Sequence, residues 1–173
     1  MLVRRKVFEE IGGFDSRYFL LGEDIDLSWR AQLAGYRVIV NPLAVIYHKS
    51  MGTIGRRNYR ERCELRFLSE RNTLRTLLKN YSYPTLFEVL PRYFAILLFE
   101  IALFLILGKA RLALADIKAV IWNVTNSRET WYLHVKIQQI RATKDGSIQK
   151  RMIPRSLKIC NFRSLFKHLM RED

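Results

Sequence analysis

Helical spacing of apolar positions dominates the chain, broken once by a short stretch of strand-like runs. "RRKVFEEI" reads as a short amphipathic helix stopped by Gly12 and Gly13. "DIDLSWRAQLAG" sets Ile25, Trp29 and Leu33 at i, i+4 and i+8, one face of a helix that Gly35 ends. "YRVIV" and "LAVIYH" follow as β-rich runs separated by Asn41 and Pro42. Residues 1–55, with their Gly and Pro punctuation, therefore predict an α/β domain. Arg56 to Asn80 predicts a long helix with Leu65, Leu68, Leu74, Leu77 and Leu78 as its apolar side.

The next stretch changes character. "YFAILLFEIALFLILG", Tyr93 to Gly108, carries Glu100 as its one charge. Its 16 residues span roughly 24 Å as a helix, short of the ~30 Å hydrocarbon core of a bilayer. Starting at Thr85 lengthens the helix to 24 residues but takes in Glu88, Pro91 and Arg92. Three readings compete: a soluble core helix, a single crossing anchored by Arg92 and Lys109/Arg111, and a hairpin or interfacial insertion with "ARLALADIKAVIW" as its return. The sequence favours membrane association and leaves its depth open. The chain thus divides into residues 1–80, an apolar helical region over 81–125, and a basic tail over 126–173.

Charge adds to this. Thirty basic against 16 acidic residues leave a net +14 in 173 residues, a balance that attracts polyanions or an anionic membrane surface. Residues 109–173 hold 14 Lys and Arg against five Asp and Glu, so +9 of that charge follows the apolar run. Basic residues beside an apolar helix suit anionic headgroups. No recognised RNA or DNA motif is present, so nucleic acid is not an expected partner. Cys63 and Cys160 match no metal or redox spacing and read as free thiols of a reducing compartment. The opening "MLVRRKVFEEIGGFD" lacks the apolar core of a signal peptide.

Against that basic background, "YFLLGEDIDLSW" packs Glu23, Asp24 and Asp26 into four positions among large apolar side chains. At a helix start, free N–H groups and the helix dipole favour negative charge, so a cap at Asp24 with Asp26 in the first turn is the bland reading. It leaves Glu23 beside Asp24 without a reason. A carboxylate held at a helix start behind a Gly turn is also a candidate general base, preorganised and ionised at neutral pH.

The ordered set "GGFD…YFLLGEDIDLSWRAQLAGYRVIVNPLAVIYH" resembles the C-terminal half of the catalytic domain in family 2 glycosyltransferases, inverting GT-A fold enzymes that include rhamnosyltransferase-like members. The resemblance covers residues 1 to about 80 and implies an α/β fold, the C-terminal half of a GT-A domain, followed by apolar and basic α-helices. It implies Asp24 as catalytic base with Glu23 completing the motif. It also implies His48, 24 positions on, as a ligand for the Mg²⁺ or Mn²⁺ that holds the donor diphosphate; a structural His at a strand end is the competing reading. Arg56 and Arg57 are candidate phosphate contacts, as are Glu70–Asn72 ("ERN"), and Trp29 is a further candidate for contact with substrate. For these charged positions taken singly, a solvated helix face is the competing reading. Further implications are a nucleotide-sugar donor, a glycan or lipid-linked acceptor, and membrane association on the cytoplasmic face.

In this family a nucleotide-binding half ending in a D-x-D metal motif precedes the matched region. Asp24-Ile25-Asp26 stands at the base position instead, so it is not read as the metal site. The expectation is an acceptor-side fragment, inactive by itself. The alternative is a non-catalytic, membrane-anchored remnant or assembly module that needs a partner chain.

Overall fold

The computed structural model describes residues 1–45, 47 and 58–152. Helix α1, Arg5–Glu10, stops at two residues with positive φ, Gly12 (82°) and Gly13 (63°). Helix α2, Glu23–Leu33, ends the same way at Gly35, φ 87°. Both stops agree with the sequence, because glycine adopts the left-handed region without steric cost. Helix α3, Tyr59–Asn80, starts where the Asn58 side chain accepts a hydrogen bond from Glu61 N at 2.9 Å. Then come α4, Tyr83–Ile106, α5, Ala110–Thr125, α6, Ser127–Gln139, and a short α7, Asp145–Gln149.

Helix α3 is the axis of the molecule. Helix α4 returns antiparallel to it, since Tyr93 meets Glu70 and Glu100 meets Arg66. Helices α5 and α6 then run end to end beside α3 in its own direction. Successive contacts climb together: Arg66 with Asp116, the Arg71 carbonyl with Asn123, Arg75 with Thr130, and the Leu78 carbonyl with His134. Helix α2 packs on the C-terminal part of α3. There Trp29 and Leu33 join Tyr81, Leu86, Ile137 and Ile148 in the core.

Among the described residues there is no strand, which corrects the α/β expectation: this part of the chain is all-helical. Residues 36–40 and 43–45, read as strand from composition, are irregular. Their apolar side chains are exposed, Ile39 at 75% and Val40 at 90%. Strand propensity describes how a side chain fits a pleated, half-buried surface; among the described residues these segments find no pairing backbone, and only Tyr36 packs against the core, beside Val7, Ile11, Leu27 and Ala31. The apolar face read for α2 is also only partly right. Trp29 and Leu33 are buried, but Ile25 is 62% exposed, and Asp26 and Arg30 take places inside.

The largest departure is α3. Its buried residues include Glu70, Arg71, Asn72, Arg75, Thr76, Lys79 and Asn80, with Leu74 as the buried leucine. A face that reads as solvated is inside because carboxylates from other elements meet it. Towards its start, Arg66 bonds Asp116 (2.7 Å) and Glu100 (2.7 Å), with Glu70 at 3.6 Å. One guanidinium thus serves three carboxylates. Burial pushes the Asp116 carboxyl up to about 6, and the charges of Glu70 and Glu100 act the same way against the pull of Arg66.

Candidate active site

The loop ahead of α2 is held in an uncommon shape. Leu21 has φ 72° and Gly22, the N-cap of α2, has φ 89°. A bulky residue in the left-handed region costs about 1–3 kcal/mol and persists only where its surroundings enforce it. Here Asn72 of α3 does so: its Nδ2 donates to the carbonyls of both Leu20 (2.8 Å) and Leu21 (2.7 Å). Arg71 Nε donates in turn to Asn72 Oδ1 at 2.9 Å, and Arg71 Nη2 to the Arg17 carbonyl at 2.9 Å. Tyr18 completes the brace, its hydroxyl 2.6 Å from Thr76 Oγ1. Asn72→Ala is expected to leave two loop carbonyls unpaired and to destabilise the chain by about 2 kcal/mol. It should also speed amide exchange across residues 20–24. Unchanged exchange there would show that Asn72 is not the brace.

The loop delivers the acidic cluster with its members separated. Asp26 is 1% exposed and fully engaged: Arg30 Nε donates to it at 3.0 Å, Lys79 Nζ at 3.1 Å and Asn80 Nδ2 at 3.0 Å. Asp24 points outward, with its Oδ1 accepting from Ile25 N at 2.8 Å. Glu23 lies between them, half-buried, and its Oε2 has no partner among the described residues. Three neighbouring carboxylates thus occupy three environments, and only Asp24 is open to solvent.

The "GGFD" turn is tied to the same centre. Arg30 Nη2 donates to the Gly13 carbonyl at 2.7 Å and Nη1 to that of Ile11. The Asp15 side chain, 6% exposed, receives Arg75 Nε at 2.9 Å and Lys79 Nζ at 2.6 Å. Burial alone would raise the Asp15 carboxyl, but Arg75 and Lys79 outweigh it and hold the group well below the usual carboxylate range. Lys79 therefore bridges Asp15 and Asp26, and with Arg30 and Arg75 it locks the start of α2 onto α3 and the turn after α1.

The site residues read from sequence fall into three groups. Glu23 and Asp24 stand together at the start of α2. Trp29 is 7% exposed and edge-on to Tyr81 with ring centroids 4.6 Å apart, a packing position in the core and not the wall of an open site. His48, Arg56 and Arg57 lie outside the described residues. Glu70, Arg71 and Asn72 are buried and not on a solvated face: Glu70 meets Tyr93, and Arg71 and Asn72 brace the loop before α2. The sequence pattern does not single out Asp15, Arg75 and Lys79, although Asp15 is the acid of the "GGFD" turn. No group of three metal-ligating side chains comes together among the described residues. The oxygens of Asp26 are taken up by Arg30, Lys79 and Asn80, so Asp24 and Asp26 do not form a cation clamp.

Asp24 is thus an open carboxylate in the first turn of α2, beside a buried network that ties the preceding loop to α3. The sequence pattern of glycosyl transferase family group 2 matches residues 1–124, and the chain belongs to that family. Over 56 residues it is 43% identical to N-acetylglucosaminyl-diphospho-decaprenol L-rhamnosyltransferase of Mycobacterium tuberculosis, strains CDC 1551 / Oshkosh and ATCC 25618 / H37Rv. The match takes in 32% of this chain and 18% of that protein. Over 51 residues it is 39% identical to the O-antigen biosynthesis protein RfbC of Myxococcus xanthus, 29% of this chain and 4% of that protein. The chain thus matches less than a fifth of the length of either relative. No solved structure matches.

Proposed function

We propose that this chain supplies the acceptor side of an inverting glycosyltransferase that moves a sugar, rhamnose or a related hexose, from a nucleotide donor to a hydroxyl of a lipid-linked or polysaccharide acceptor. The observation that carries the reading is Asp24: a solvent-open carboxylate in the first turn of α2, behind a strained loop held by Asn72, in a chain of this family. In an inverting transfer the acceptor oxygen bonds the anomeric carbon as the nucleoside diphosphate leaves, and the base takes the acceptor proton in the same step. Asp24 takes that proton, and Glu23 lies beside it at the start of α2. Mg²⁺ or Mn²⁺ would neutralise the leaving diphosphate, with His48 as this chain's proposed ligand and the remaining ligands on the donor side. The names of the relatives, one acting on a diphospho-decaprenol acceptor and one in O-antigen biosynthesis, support the acceptor class.

The donor-binding part is proposed to come from further polypeptide. Supplying a family nucleotide-binding half, fused or co-expressed, should yield sugar transfer in a membrane fraction. Absence of transfer with every nucleotide-sugar offered, from a folded assembly, would favour a non-catalytic anchoring module.

Membrane attachment belongs to the same proposal. Helix α4 is the one described helix long and apolar enough to cross a bilayer, with mean hydropathy 2.1. Its buried face, Tyr93, Leu97, Glu100 and Phe104, packs towards the polar helix α3, so lipid does not surround it. Ala95, Leu98, Phe99, Ala102, Leu105 and Ile106 make an exposed stripe without a charge, whereas Glu88 and Arg92 are exposed nearer the start. The stretch that holds this stripe, residues 93–106, spans about 21 Å against a core of ~30 Å. That geometry supports insertion of one face into a single leaflet, with Lys109 and Arg111 following at its end. The expressed chain is expected to sediment with membranes and to resist 1 M salt, because screening weakens charge attraction and not apolar burial. Release by salt as complete as release by detergent would overturn the attachment.

A further inference from the structure

The parallel course of α3 and α5 leaves a groove of about 630 Å³ between them, and nothing in the acceptor-base reading uses it. One wall is the α3 face of Arg60, Glu64 and Phe67; the other is the α5 face of Arg111, Leu114 and Lys118. On each helix these positions recur at i, i+3 or i+4 and i+7, so each wall is a continuous ridge along one face. Three cations stand against the single carboxylate of Glu64, which pairs only loosely with Arg60 at 3.5 Å. Between the cations the lining is carbon, chiefly Phe67, Leu114 and Ala115.

Arg71, the next residue of that ridge, lies over the Trp122 ring at 4.9 Å and over the Phe67 ring at 5.5 Å. The same Arg71 bonds the Arg17 carbonyl and Asn72, which holds the loop leading to Glu23 and Asp24. Arg71 thus links the ridge beyond Phe67 to the loop that precedes α2.

We infer that this groove holds an anionic amphiphile, a phosphate or diphosphate ester of a long apolar alcohol, with its phosphates at Arg60, Arg111 and Lys118 and the first part of its chain along Phe67, Leu114 and Ala115. The inference rests on the acceptor-side reading and deepens it, because it gives the phosphate-bearing lipid end of an acceptor a place on this chain. Charge complementarity selects the ligand class. Guanidinium and ammonium groups on both walls suit a multiply charged headgroup, and the carbon floor between them suits a hydrocarbon that a free nucleotide or inorganic phosphate lacks. A neutral lipid would leave the excess of cations over the single Glu64 carboxylate without a counter-charge.

The test uses the full chain in detergent, with farnesyl diphosphate as the probe in titration calorimetry. Binding is expected for farnesyl diphosphate, with at least about tenfold weaker binding of both farnesol, which lacks the charge, and inorganic diphosphate, which lacks the chain. The Arg111→Glu/Lys118→Glu double variant, changed at exposed positions, should melt as the parent does and bind farnesyl diphosphate at least about tenfold more weakly. Asp24→Asn should bind it normally. The inference is overturned if the parent fails to bind the probe, if farnesol or inorganic diphosphate binds as well, or if the double variant binds unchanged. It is also overturned if the double variant loses only its attachment to phosphatidylglycerol vesicles, since the groove would then read membrane headgroups at large. Failure of the acceptor-base reading looks different: farnesyl diphosphate binds through Arg111 and Lys118, yet no assembly transfers sugar.

Discussion

Asp24→Asn, assayed in an assembly that includes the donor-binding half, is expected to lower sugar transfer by about 10²–10⁴-fold, the usual contribution of a positioned general base. Donor affinity and melting temperature should barely move. The structure explains why the two effects separate. Asp24 is exposed, and the bond it accepts from Ile25 N is available to an asparagine oxygen as well. Asp26→Asn, two residues on, is the internal comparison. It removes charge from a buried carboxylate that receives Arg30, Lys79 and Asn80, so it should cost stability first. Transfer by Asp24→Asn within about tenfold of the parent would rule Asp24 out as the base.

Lys79→Met is expected to have the largest effect on folding. Lys79 is 1% exposed and bonds Asp15 and Asp26 together, so a neutral replacement leaves two buried carboxylates short of a cation. Breaking a buried ion pair from one side costs about 3–5 kcal/mol, roughly 10 °C or more in melting temperature for a chain of this size. Removing a carboxylate at the same time should recover part of the loss, so Asp15→Asn/Lys79→Met should be more stable than Lys79→Met alone. The same network sets a pH dependence. The folded-state carboxyl of Asp15 is depressed, so its stabilisation is fully present above the ordinary value of 3.8 and is lost as pH falls below it. Urea melts of the parent and of Asp15→Asn between pH 7 and pH 3 check this: the parent should lose the larger share of its stability. A Lys79→Met protein within about 1 kcal/mol of the parent at pH 7 would mean that the network does not hold α2 in place.

Such a network explains why the helices were legible and their faces were not. The stops of α1 and α2 are written in Gly12, Gly13 and Gly35, because positive φ is a local demand. The length of α3 is legible because nothing from Tyr59 to Asn80 breaks a helix. Its orientation is a different matter. Leu65, Leu68, Leu77 and Leu78 point to an apolar inner face, yet Arg75, Lys79 and Asn80 are sealed more completely than any of these leucines. Whether an arginine faces water or the interior depends on the carboxylate it meets, and Asp15, Glu129, Glu100 and Asp116 arrive from distant parts of the chain.

The candidate site divides along the same line. The acidic pair at a helix start, behind a Gly turn, is a local pattern, and sequence alone marked Glu23 and Asp24. It could not show that Asp24 faces solvent and Asp26 is buried, since the two share one helical turn and differ in what surrounds them. Nor could it show that Asn72, 50 residues beyond Gly22, holds the loop in its left-handed shape. By itself the sequence determined the family, the helix stops, the acidic pair and the apolar character of α4, because each follows from neighbours along the chain. Tertiary structure alone decided which carboxylate stays open, which cations are buried, where a charged groove forms beside α5, and that residues 36–40 are not strand among the described residues. Each of those depends on the partner a side chain or backbone group finds in space, and burial without one is too costly to persist.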